Sequence, residues 1–282
     1  MKLKLLSSRL RAVTGLLLAL ALTPVMAAPK AELWPRWQAH DDTLKVALAH
    51  DSWDQLLGRY VKPGGDGINR VAYGAVTPAD RAQLAAYLVK MQAVPISKYN
   101  QLEQRAYWIN VYNAQTVKLV LDHYPTKSIR DISLGGRLSG LFGGGPWDGK
   151  LLKVEGQELS LNDIEHRILR PIWRDPRTHY AVNCASLGCP NLQARAFTGS
   201  QLDEMLNKAA RDYINSRRGA EIKNGKLLVS SIYVWFKDDF GGSDAGVIEH
   251  LKKFATPEFA AALKGVSKIS DDRYDWSIND AH

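Results

Sequence analysis

The sequence predicts an α+β domain, with several helices around a small, mostly antiparallel sheet. Apolar residues recur at helical spacing in several long segments. Short β-prone runs alternate with turn residues, and "EIKNGKLLVS" sets Asn-Gly between two of them, the strongest hairpin signal in the chain. No internal repeat or low-complexity run points to a solenoid or a linker.

The first 27 residues read as a cleaved signal peptide. Lys2, Lys4, Arg9 and Arg11 precede the apolar run "VTGLLLALALTPVM", and "VMA" ends on small residues, so cleavage is expected after Ala27. The run is shorter than the roughly 20 residues a membrane span needs, Pro24 interrupts it, and no second long apolar stretch follows. A periplasmic or secreted protein with no stable membrane anchor after cleavage is the expectation. Removing residues 1–27 takes away those four basic residues and no acidic one, so the formal charge falls from +8 to +4. No basic block longer than "SRRG" and no RNA-binding or zinc-finger signature is present, so nucleic-acid binding is not predicted. No other partner is named by the sequence. About 255 residues remain, enough for one large core.

Residues 28–49 form a lead-in, and residues 50–282 a single domain. "DSWDQLLGRYV" reads as a helix capped by Asp51 or Ser52, with Trp53, Leu56, Leu57 and Tyr60 on one face. "KPGGDGINR" is a turn, and "RVAYGAV" a short strand. "TPADRAQLAAYLVKMQAV" is a helix with Thr77 as cap, Pro78 at its first position and Asp80 three residues after the cap. "SKYNQLEQRAYWINVYNAQTVKLVLDHYP" holds a largely buried helix that ends before Pro125. "GGRLSGLFGGGPWDG" is a glycine-rich loop without the lysine and Ser/Thr of a phosphate-binding loop. "KLLKVEGQELS" predicts a strand pair, "SLNDIEHRILRPIW" a helix capped by Ser160 or Asn162, and "THYAVNC" a strand. The helix "TGSQLDEMLNKAARDYINS", the Asn-Gly hairpin, "YVWFKDDFGG", a last helix around "DAGVIEHLKKFA" and "DRYDWSIND" complete the domain.

Five of these blocks, "RAYWINVYNAQT", "LNDIEHRILR", "DPRTHYAVNCASLGCPNL", "VWFKDDFGG" and "YDWSIND", resemble in order those of the family called domain of unknown function 547. The resemblance spans roughly residues 50 to 279. It implies an α+β module with no settled activity, set beside papain-like cysteine peptidase folds by analogy, and fold analogy does not establish function.

Candidate chemistry gathers in three segments. Asn110 and Asn113 lie three apart on one helix face. Buried amides need partners, so the pair either lines a pocket as substrate-binding groups or ties the helix to a neighbouring loop. Glu165 and His166 are adjacent on their helix, where Glu165 either pairs with Arg105 or Arg170 or orients a histidine. In "HYAVNCASLGCP", Cys184 and Cys189 admit three readings: a disulfide, a metal site, or a thiolate with His179 or His166 as base. A strand would put His179 and Cys184 on opposite faces. The second half of a zinc site is missing, so no metal is predicted, and no cofactor either. An oxidising compartment favours the Cys184–Cys189 disulfide. "ASLG" is not the elbow of a serine hydrolase. Asp238 and Asp239 offer paired carboxylates, a pattern more usual in a solvated turn or cap.

Three functions follow. The first is an exported hydrolase or transferase acting on amide or thioester bonds through Cys184, His179, Glu165 and His166, with Asn110 and Asn113 binding substrate. The second is a non-catalytic binding or scaffold domain with a structural Cys184–Cys189 bridge. The third is a thiol–disulfide or metal-linked protein.

Overall fold

The computed structural model describes residues 28–134 and 145–281. The signal peptide expected at 1–27 and most of the glycine-rich loop lie outside these residues. The fold is α+β. Among the described residues the strands form three small sheets rather than one.

Helix α1 (Asp51–Tyr60) begins without the expected side-chain cap, and His50 precedes it. Strands β1 (Val61–Pro63) and β2 (Asn69–Val71) pair antiparallel across the predicted turn. Helix α2 (Pro78–Gln92) starts as its sequence dictates, with Thr77 Oγ1 accepting from the Asp80 amide at 3.1 Å. Helix α3 (Gln101–Asp122) is the axle of the domain, capped by Asn100 and buried along most of its length. Several of its buried polar residues hold backbone. Gln104 donates to the carbonyls of Ala39, Ile96 and Tyr99, and Glu103 accepts from the Leu48 amide.

β3 (Leu152–Val154) and β4 (Gln157–Leu159) form the second hairpin. A π-helical segment, Asp163–Leu169, runs into α4 (Arg170–Trp173). The segment "THYAVNC" departs from its predicted strand. It starts as the short helix α5 (Thr178–Ala181) and turns extended only at Val182. The β-prone residues lose to the turn before them, where Asp175 bonds the amide of Arg177 and the carbonyls of Asp175 and Pro176 accept the first helical amides.

α6 (Leu202–Ile214) precedes the Asn-Gly hairpin of β5 (Ala220–Lys223) and β6 (Lys226–Ser230). α7 (Ile232–Trp235), a 3-10 turn at Lys237–Phe240, α8 (Asp244–Phe254) and α9 (Pro257–Ala262) follow. β7 (Asp271–Arg273) then lies parallel to β6. Two apolar clusters result, one around α1–α3 and the other between α6, β6 and α8.

The segment 274–281 stitches distant loops together. Leu187 and Gly188 donate to the carbonyls of Ser277 and Asp275, Asn279 donates to Ala185, Ile278 to Lys127, and Val71 exchanges bonds with Asn279 and Ala281. A Cβ on Gly188 would sit 2.8 Å from the Asp275 nitrogen, so glycine is required for this approach. No described helix is long and apolar enough to cross a membrane.

Candidate functional site

The π-helical segment, the start of α4, α5 and the turn before α8 bring Glu165, His166, Arg170, His179 and Asp239 together. His179, 3 % exposed, sets Nε2 2.6 Å from Asp239 Oδ2 and turns Nδ1 toward Glu165 Oε1 at 3.8 Å. The histidine therefore lies between two carboxylates. Arg170 donates from Nε to the same Asp239 oxygen at 2.6 Å and also reaches the Pro29 carbonyl and His166 Nδ1. Burial would raise the Asp239 carboxyl, yet the hydrogen bonds from His179 and Arg170 outweigh it and hold the group well below the usual carboxylate range. His166 is pushed down to about 4, mainly by burial. It is thus a neutral ring at pH 7, able to accept from Arg170. Phe236 makes the floor, stacked on His179 at 4.5 Å and facing the Arg170 guanidinium at 4.6 Å.

Of the partners foreseen for Glu165, the histidine is the one at hand. Arg170 pairs with Asp239 and Arg105 with Asp175. His166 Nδ1 also lies 3.9 Å from Glu165 Oε1. Burial, with Glu165 beside it, holds the Tyr112 phenol well above its ordinary value.

The two asparagines stand apart from this cluster. Asn110 donates to the Phe197 carbonyl at 2.7 Å and accepts from the Phe197 amide at 3.0 Å. Asn113 clasps the chain on both sides of Val182 in the same manner, through the Ala181 carbonyl and the Asn183 amide, each at 2.8 Å. Each amide satisfies backbone that irregular chain would otherwise leave unpaired.

Cys184 and Cys189 are joined in a disulfide, with Cα atoms 6.3 Å apart. A sulfur in that bond has no thiolate to attack with. No described hydrogen bond or ion pair joins Cys184 to His179 or His166. Among the described residues, no group of three or more His, Cys, Asp or Glu side chains is arranged to hold a metal ion.

Residues 96–214 match the model of the family described as Protein of unknown function, DUF547. No curated protein and no solved structure matches the chain. The matched segment contains Asn110, Asn113, Glu165, His166, Arg170, His179 and both cysteines, whereas Asp239 lies beyond it. The blocks "VWFKDDFGG" and "YDWSIND" also lie outside the matched range, so the resemblance read across 50 to 279 is supported over its central part.

An open cleft of about 370 Å³ lies against this cluster, lined by Arg170, Arg174, Asp175, Asp238 and Asp239 and closed on one side by Ala31 and Leu33 of the lead-in. The lead-in is held there by the helix. Glu32 and Trp34 donate to the carbonyls of His166 and Arg167 at 2.9 and 3.0 Å. Pro171, five residues after His166 and four after Arg167, has no N–H to offer either carbonyl. One proline thus leaves two acceptors for a second piece of chain. Asp239, Arg170 and Arg174 carry this site, and sequence reasoning had set the acidic pair aside as a solvated turn. The run of two aspartates beside aromatic residues was the available signal.

Proposed function

We propose that this chain is an exported, non-catalytic binding domain whose cleft takes a small ligand bearing both charges, such as a free amino acid or the end of a peptide. One observation carries the reading. Arg174 and Asp238 line the cleft exposed, and among the described residues neither side chain has a hydrogen bond or ion pair. Behind them Arg170, Asp239, His179 and Glu165 are engaged with one another, forming a charged wall. The cleft's volume falls within the range of small-molecule sites. The bonded state of Cys184 and the backbone contacts of Asn110 and Asn113 support binding over catalysis.

The test is thermal shift and calorimetry of the wild type against a panel of amino acids and dipeptides, repeated with Arg174→Ala and Asp238→Asn. At a hundred times Kd, a ligand stabilises by about 2.7 kcal/mol. Each variant is expected to weaken binding at least tenfold while leaving the unliganded melting temperature in place. A panel without a single binder, or variants that bind like the wild type, would overturn the reading.

The Cys/His hydrolase keeps one observation in its favour, the placement of His179 between Asp239 and Glu165. It needs a reduced Cys184. Alkylation with and without prior reduction, read by mass spectrometry, decides between them. If the thiols label without reductant and the protein cleaves amide or thioester probes, catalysis displaces binding.

A further inference from the structure

The two sulfurs of the bridge are not equivalent. Cys184 is partly exposed, whereas Cys189 is 2 % exposed. Tyr274 Oη lies 3.1 Å from each sulfur. A bonded sulfur carries no hydrogen, so the phenol is the donor. Burial holds that phenol well above its ordinary value, and it keeps its proton at neutral pH. Ser186 Oγ lies 3.1 Å from Tyr274 Oη and 3.4 Å from either sulfur. The Cys184 amide points at Cys189 Sγ from 3.0 Å. Arg218 donates to the carbonyls of Leu187 and Cys189 and brings a positive charge to the same loop.

The loop does not depend on the bridge for its shape. Tyr213 donates to the Gly188 carbonyl at 2.7 Å, Arg218 holds two further carbonyls, and the 274–281 segment fixes Ala185, Leu187 and Gly188. A bridge that closes so short a loop also removes little unfolded-state entropy. Opening it therefore leaves a frame of donors in place around the buried sulfur.

We propose that Cys184–Cys189 is a thiol-exchange site, at which a small thiol attacks Cys184 Sγ and Cys189 departs as a thiolate received by the Cys184 amide and the Tyr274 hydroxyl. The lone pair of the incoming thiolate forms the new S–S bond, and the pair of the old bond passes to Cys189. A second thiolate then attacks the external sulfur of the mixed disulfide and releases Cys184 as thiolate. Two small thiols are oxidised to their disulfide, and the protein bridge is reduced by two electrons. Exchange of this kind is governed by access to the attacked sulfur and by the stability of the leaving thiolate. Here exposure selects Cys184, and the Cys184 amide, the donor aimed at Cys189 alone, favours Cys189 as leaving group. This inference is independent of the ligand cleft.

The experiment uses the folded chain, glutathione as the thiol, and peptide mapping by mass spectrometry after acid quench. In Cys189→Ser, glutathione disulfide is expected to form a stable adduct on Cys184. In Cys184→Ser, the adduct on Cys189 should form at least tenfold more slowly. Tyr274→Phe, which keeps the ring, should slow reduction of the native bridge about tenfold, in line with loss of a hydrogen bond to a charged group. In the reduced wild type the pH of half-maximal Cys189 alkylation should lie below the free-thiol value near 8.5 and rise toward it in Tyr274→Phe. Ser186→Ala provides a second variant if Tyr274→Phe does not fold. A bridge that reduces only in urea, equal adducts on both cysteines, or unchanged kinetics in both variants would overturn the proposal.

Discussion

His179 and Asp239 meet across 60 residues of sequence through a 2.6 Å contact between Nε2 and Oδ2. The same carboxylate oxygen accepts from Arg170, whose side chain is 5 % exposed. Asp239→Asn keeps the shape but leaves the guanidinium without its countercharge. Breaking a buried pair costs about 3–5 kcal/mol, and the partial exposure of Asp239 brings the expected loss toward the lower end. Urea denaturation measures it. A loss below about 1 kcal/mol, the size of a surface pair, would mean that water already screens this contact.

Asn113 holds the chain on both sides of Val182. Asn113→Ala strands the Ala181 carbonyl and the Asn183 amide in a buried place, at about 1–3 kcal/mol for each unpaired group. The expected destabilisation is about 2–6 kcal/mol. Asn113→Asp should be intermediate, since a carboxylate still accepts from Asn183 but donates nothing to Ala181. Equal losses for the two variants would contradict the two-bond description.

Pro171→Ala returns an N–H to the helix beneath the lead-in. The new amide then competes with those of Glu32 and Trp34 for the carbonyls of His166 and Arg167. Hydrogen exchange at those two amides should accelerate, while amides in α3 stay protected. Unchanged protection would show that the Pro29–Arg170 bond and the Arg167–Trp34 ring contact, at 4.5 Å, hold the lead-in by themselves.

Stability should depend on pH through buried histidines. His50, His166 and His250 are each pushed down to about 4, chiefly by burial. In the unfolded chain they take up protons near 6.5, so between 6.5 and 4 the unfolded state binds more protons and gains. Their contribution is fully present above 6.5 and declines as the pH falls toward 4, each by up to about 3 kcal/mol. Asp175, held at about 2 against the desolvation of burial by Arg177 and Arg105, adds its loss only below the usual carboxylate range. Urea midpoints should be level from pH 8 to 7 and drop between 6 and 5. A level profile down to pH 5 would refute neutral burial of these rings.

Much of the fold was legible because its signals are local. Thr77, Pro78 and Asp80 specify the start of α2, and Asn-Gly specifies the turn between β5 and β6. The α5 segment was misread because Tyr180, Val182 and their neighbours have strand propensity, while the turn at Asp175 and the clamp from Asn113 are what shape it. One of those lies 70 residues away from Asn183. The π-helical turn escaped for a related reason, since its spacing differs little from that of an α-helix over seven residues. Glu165, His166 and His179 were recognised as candidates, and the structure does gather them. Asp239 was not placed with them, nor Tyr274 with the cysteine pair, because each comes from a distant segment and only packing makes these groups neighbours.

The stitching by residues 274–281 also bears on the order of events during synthesis. These residues leave the ribosome after every partner they bind. Until they arrive, Val71, the Lys127 carbonyl and the cysteine loop each lack a backbone partner. A chain whose residues 274–281 are still inside the ribosome is consequently an unfinished substrate for folding, and any stop codon introduced before Tyr274 yields a polypeptide with three open seams.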